Sequence, residues 1–252
     1  MFLLSQVLES RFGIDLADTL GLHYPESDQF NAFQLVSHLF MHGSFMHIFF
    51  NMFSLWMFGN MLENLWGSKR FLIFYLVCGL GAAGIHLLFT GYEVHKMREA
   101  IELYASNPGI VDFKNLVMHY KGYAGPEQID NINKVYSELV ENPQSSLFQR
   151  ESVDVAFQLL KNKMDVPTVG ASGAVYGLLL AFGMIFPNTL LYLYLAIPIK
   201  AKYAVLIFGL IEVYMGFENS PGDNVAHFAH LGGMLFGFIM IKMWNKNKNR
   251  FY

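Results

Sequence analysis

The 252-residue chain is 54% hydrophobic and only 15% charged, with 24 Phe and 14 Met; soluble globular domains carry roughly 25% charged residues, so lipid is the natural solvent for much of it. Disorder, which needs low hydrophobicity and high net charge, is excluded. A net charge of −3 provides no basic face for nucleic acid, and the single Cys78 cannot form an intramolecular disulfide.

In chain order, residues 1–8 are apolar but stop at Glu9, less than half a span, and lack the charged start and cleavage site of a signal peptide. They read as a partial first span, which predicts further apolar residues upstream of Met1. Stretches long enough to cross ~30 Å of hydrocarbon follow at residues 45–62, 71–90, 169–186, 202–217 and 225–244. Residues 189–199 are too short to cross and contain Pro198, so they read as an interfacial turn. Residues 92–165 have the composition of a soluble insertion, broken at Asn107-Pro108-Gly109, Gly125-Pro126 and Asn142-Pro143. Val94, Met97, Ile101 and Tyr104, and again Ile129, Ile132, Tyr136 and Leu139, fall at 3-4-3 spacing, the stripe of an amphipathic helix.

The predicted organisation is therefore an all-α, polytopic membrane bundle formed by residues 1–91 and 166–252, with a helical insertion at 92–165. Lys69 and Arg70, Lys200 and Lys202, and Lys242, Lys246, Lys248 and Arg250 place their loops and the C-terminus in the cytoplasm. The insertion then lies outside, where its apolar stripes suit a cap that restricts access to the bundle. The spans beginning near residues 45, 169 and 225 all run inward.

Polar side chains within spans are costly and usually mark function. Here His47 and Asn51, Ser172, and His230 fall near the outer ends of those three parallel spans. Ser172 is flanked by residues without bulk in Gly170-Ala171-Ser172-Gly173-Ala174, leaving its hydroxyl and the local backbone N–H groups open to a carbonyl. A serine hydroxyl needs a base at neutral pH, and His230 is the candidate. Gly173, Gly177 and Ala181 on one helix, and Gly233 and Gly237 on the other, form small faces that permit close approach. His47 and Asn51, four residues apart on one face, can both donate to an oxyanion. Tyr176, one turn below Ser172, can stack on the imidazole. No carboxylate is placed to orient His230, Glu212 being expected near the outer end of an outward-running helix, so the reading is a Ser–His dyad. His38, His42 and His47, or His227 and His230, have ligand-like spacing, but no His-Glu-x-x-His occurs, and no metal is assigned.

These residues resemble the rhomboid family of intramembrane serine proteases. Its His-x-x-x-Asn corresponds to residues 47–51, its Gly-x-Ser-Gly to 170–173, its Ala-His-x-x-Gly-x-x-x-Gly to 229–237, and its turn after the second helix to Glu63 and Gly67. The resemblance implies a six-helix bundle, the first helix only partly present. It implies Ser172 as nucleophile, His230 as general base, an oxyanion hole of His47, Asn51 and the backbone of Gly170 and Ala171, and Tyr176 packed on His230. It further implies cofactor-free cleavage of transmembrane protein substrates in a bilayer, by a multi-pass protein of the bacterial cytoplasmic membrane. The alternative is an inactive rhomboid-like factor that only binds membrane proteins, and such relatives typically lack the Ser or the His. A transporter lining its spans with histidine would need intramembrane acids for a relay.

Overall fold

A computed structural model describes residues 2–193, 196–218 and 226–248; the predicted span start at Val225 and the basic Arg250 lie outside the described residues. The helices are α1 (Phe2–Phe12), α2 (Leu16–Leu20), α3 (Gln34–Ser37), α4 (Phe45–Ser54), α5 (Asn60–Trp66), α6 (Ser68–Ser106), α7 (Ile110–Tyr120), α8 (Pro126–Glu141), α9 (Ser146–Asp165), α10 (Ser172–Ile185), α11 (Ala201–Glu218) and α12 (His227–Lys248). The predicted all-α class holds, with one addition. Within the segment predicted as an interfacial turn, β1 (Leu190–Leu193) and β2 (Ile197–Lys200) pair antiparallel, with Leu191 opposite Ile199. Two antiparallel strands satisfy their backbone groups mutually where a segment is too short for a spanning helix.

The chain divides into two compact units, Met1–Leu22, Asn31–Leu88 and Pro167–Tyr252 in one, His23–Phe30 and Phe89–Val166 in the other. α6 contributes to both.

In the first unit, Ser44 caps α4 by accepting a hydrogen bond from the His47 N–H. Helical structure continues through a π turn at Leu55–Gly59 and through α5 to Trp66, past the predicted end at 62. It stops at Gly67, whose φ of +77° suits glycine and whose N–H donates to the Glu63 carbonyl at 2.7 Å. Among the described residues α6 alone is both long and apolar enough to cross a membrane; α10 is apolar but has only 14 residues, about 21 Å at 1.5 Å per residue. It is shorter than the predicted 169–186 because residues 169–171 remain non-helical and Phe186 ends the helix.

α10 and α12 pack backbone to backbone. A β-carbon added to Gly233 would lie 1.8 Å from the Gly173 carbonyl oxygen, and one on Gly237 would lie 3.1 Å from that of Gly177. Around this contact Phe74, Cys78, Leu178, Phe182 and Ala201 are almost fully buried.

In the second unit, Val94, Met97, Ile101 and Tyr104 of α6 are buried against Phe113, Leu139 and Leu159 of α7, α8 and α9. The second predicted stripe needs a correction. Ile132, Val135 and Leu139 are buried, while Ile129 is 43% exposed, because it lies roughly a quarter turn round the helix from the centre of that trio at 100° per residue. The Lys163 side chain is buried and its ammonium is held 2.9 Å from Glu93 and 2.7 Å from the Tyr123 hydroxyl. Residues 23–30 also belong here: Ser27 donates to Asp165 at 2.6 Å, and Glu26 pairs with Arg98. The sequence alone groups them with residues 1–91, since contacts so distant along the chain leave no periodic trace.

Candidate active site

The segment before α10 is fixed on both sides. Leu22 and Thr168 exchange both backbone hydrogen bonds at 2.8 Å, and the Gly170 N–H donates to the His38 carbonyl at 2.9 Å. His38 is itself anchored by a 2.8 Å contact between its Nδ1 and the Gln34 carbonyl. Gly170 adopts φ +121°, and a β-carbon there would lie 2.7 Å from Nε2 of His47. Glycine is thus required twice over, by backbone conformation and by the imidazole against it.

This turn delivers Ser172 as the first residue of α10, with no side chain capping the helix start. The first N–H groups of a helix have no intrahelical partner and lie at the positive end of its dipole. One expectation fails here. The Gly170 N–H, predicted as an oxyanion donor, is already used by His38, so backbone donors must come from Ala171 onward.

Ser172 Oγ lies 2.8 Å from Nε2 of His230. The Tyr176 ring stacks on His230, centroids 4.2 Å apart and planes within 8°. The predicted absence of a carboxylate is overturned: Glu212, 5% exposed, places Oε2 2.9 Å from Nδ1 of His230. That approach is close enough for charge pairing but off the line of a hydrogen bond. Glu212 also receives the Tyr176 hydroxyl on Oε1 and approaches Nδ1 of His227 at 2.6 Å. It is the twelfth residue of α11, far enough along the helix to reach between α10 and α12. Its position near the outer end of the span was legible, but which neighbouring helix its side chain meets was not.

Glu212, His227 and His230 form a group whose donor atoms all lie within 4.8 Å of one another. The two histidine–carboxylate separations of 2.6 and 2.9 Å are shorter than the roughly 3.3 Å between neighbouring ligands of a tetrahedral zinc ion. The shorter separation is a hydrogen bond and the longer one suits charge pairing, and neither leaves room for a cation between the groups.

His47 and Asn51 are on α4, which packs against α10. Asn51 is 4% exposed, and its amide nitrogen has no hydrogen-bond partner among the described residues. The His42 ring meets His47 edge-on at 5.2 Å. Burial, aided by neighbouring His47, pushes His42 down to about 4, and burial also lowers His38, so both rings outside the span stay neutral at pH 7. A cavity of about 20 Å³ adjoins Ser172, lined also by His38, His86, Thr168 and Ala229; that is room for about one water. His86 contacts the Thr168 hydroxyl at 2.7 Å. A polar residue within the apolar stretch 71–90 is the sequence signal for it.

The description Rhomboid domain matches residues 29–96 and 145–246, about two thirds of the chain. The chain is 29% identical over 104 residues to the Rhomboid protease GlpG of Haemophilus influenzae, covering 40% of this chain and 46% of that protein. It is 35% identical over 72 residues to the Rhomboid protease GlpG of Klebsiella pneumoniae, covering 29% of this chain and 26% of that one. The alignments thus span less than half the length of either relative. No solved structure matches.

Proposed function

The chain belongs to the rhomboid family, and we propose that it is a serine endopeptidase cleaving membrane-protein substrates within or beside their transmembrane segments. The family makes it an integral membrane protein. The observation that carries the catalytic reading is the 2.8 Å contact between Ser172 Oγ and His230 Nε2, since a serine becomes a nucleophile when a base can take its proton. His230 accepts that proton as Oγ attacks the scissile carbonyl. The oxyanion is stabilised by His47, by the buried Asn51 amide and by the N–H groups from Ala171 into the first turn of α10. Protonated His230 then donates to the departing amine, leaving Ser172 acylated. Water, deprotonated by the same histidine, releases the second product. The reading extends to a cytoplasmic C-terminus and to residues 92–165 as an extracytoplasmic insertion, on the loop-charge argument.

Labelling of the purified full chain by a fluorophosphonate, with cleavage of a transmembrane test substrate, tests this. Wild type should label and cleave, and Ser172→Ala should do neither while retaining its melting transition in detergent. Undiminished labelling of Ser172→Ala, or a folded wild type that neither labels nor cleaves, would overturn it; the second result would favour a non-catalytic binding factor.

A further inference from the structure

Among the described residues the buried carboxylate of Glu212 has three partners, all belonging to or adjoining the proposed site: the Tyr176 hydroxyl on Oε1, and the Nδ1 atoms of His227 and His230 at 2.6 and 2.9 Å from Oε2. A carboxyl group taken out of water is costly unless paired, so its position demands an account beyond packing. Tyr176 from α10 and His227 from α12 grip its two oxygens, which fixes the carboxylate plane and leaves Oε2 facing the imidazole of the base.

We propose that Glu212 is the positioning residue of a Ser172–His230–Glu212 triad. The inference rests on Ser172 and His230 being the nucleophile and base. For His230 Nε2 to accept the Ser172 proton, the neutral ring must carry its own proton on Nδ1, and the group facing the other ring nitrogen selects between the tautomers. Glu212 Oε2 faces Nδ1 and favours that form. When the serine proton moves to Nε2, the ring becomes an imidazolium with its Nδ1–H beside a negative charge, in a site where solvent screens little. The proton remains on His230 throughout; Glu212 neither takes nor gives one. At 2.9 Å and off the line of a hydrogen bond, the carboxylate acts on Nδ1 through its charge. Stacking on Tyr176 restrains the ring plane but cannot distinguish one nitrogen from the other, so Glu212 supplies what the stack does not.

Among the described residues, the charged and titratable groups facing Glu212 come from two elements, Tyr176 on α10 and His227 and His230 on α12. Replacing Glu212 with Gln preserves size and removes the charge; the amide can also donate toward Nδ1 and favour the wrong tautomer. Fluorophosphonate labelling rate and kcat/KM against pH should be measured for full-length wild type, Glu212→Gln and Ser172→Ala. The expected result is a loss of about 10²-fold or more in Glu212→Gln. Its acid limb should also move to lower pH, because the negative charge facing the base is lost. A structural defect would lower the active fraction without moving that limb. An unchanged rate and limb in Glu212→Gln, with wild type active and Ser172→Ala dead, refutes the triad while leaving the serine protease reading intact. Should Glu212→Gln not fold, nitrogen-15 histidine spectra of wild type, with His230 assigned from the His230→Asn difference, decide the matter. A proton on Nδ1 supports the inference, and one on Nε2 in the neutral ring refutes it.

Discussion

Substituting Ala for Gly233 adds one methyl group where α12 touches α10, and the structure fixes how much displacement that requires. The new β-carbon would lie 1.8 Å from the Gly173 carbonyl oxygen and 2.6 Å from its carbon. The obstruction is backbone, which cannot rotate aside like a side chain. Reaching even the 3.4 Å of ordinary contact means separating the helices locally by about 1.6 Å. Gly173 follows Ser172 directly, and Gly233 is less than one turn beyond His230, so the movement falls on the 2.8 Å Ser172–His230 contact. Since misplacement by ~1 Å can cost about 10²-fold in rate, Gly233→Ala should label with fluorophosphonate at least ~10²-fold more slowly than wild type. Gly84→Ala is the matched control, for Gly84 is helical and a β-carbon there meets nothing within 4 Å. It should label normally and melt no lower, because Ala is favoured over Gly in a helix interior by about 1 kcal/mol. If Gly233→Ala labels within threefold of Gly84→Ala, the contact yields without moving the site, and the argument from small faces to catalytic geometry is wrong.

Asn51→Ala removes one of several proposed oxyanion donors and should lower kcat by about 10²-fold with little change in KM; a raised KM at unchanged kcat would place Asn51 in substrate binding instead. In the second unit, Glu93→Ala strands the buried Lys163 ammonium and should destabilise that unit by about 3–5 kcal/mol, read by hydrogen exchange of α9 amides in the intact chain. Pairing it with Lys163→Met should recover most of the loss, and failure of that rescue would show that the pair is not what Glu93 supports.

The sequence points to the proposed nucleophile and base because their chemistry demands particular neighbours at short range. Ser172 needs small flanking residues, and His230 sits three residues before a glycine that lets α12 approach α10. Such spacings lie within one or two helical turns. Stripes in the insertion were visible for the same reason, although the position of Ile129 shows that a four-residue pattern does not determine the centre of a buried face. What escaped were pairings between distant segments: residues 23–30 with 161–165 and Arg98, the Gly170 N–H with His38, and above all Glu212 with His230. Each depends on the depth at which one element meets another. In a span, hydropathy reports where the element lies only to within about a turn, and a turn is the difference between a carboxylate facing water and one touching the base.

The same geometry explains why the small faces and the carboxylate belong to one design problem. Glycine on α10 and α12 brings two backbones close enough for a 2.8 Å hydrogen bond, but close packing also excludes the water that would otherwise solvate an imidazolium. A dyad buried this way must obtain charge stabilisation from protein, and Gly79, Ala82 and Ala83 of α6 beside Ser172 offer none. α11 is the neighbour that does, through Glu212. Removing bulk between α10 and α12 therefore creates the need that the carboxylate meets, and the two features should respond differently to substitution: Gly233→Ala moves distance and slows the reaction at every pH, whereas Glu212→Gln moves the pH at which the base works.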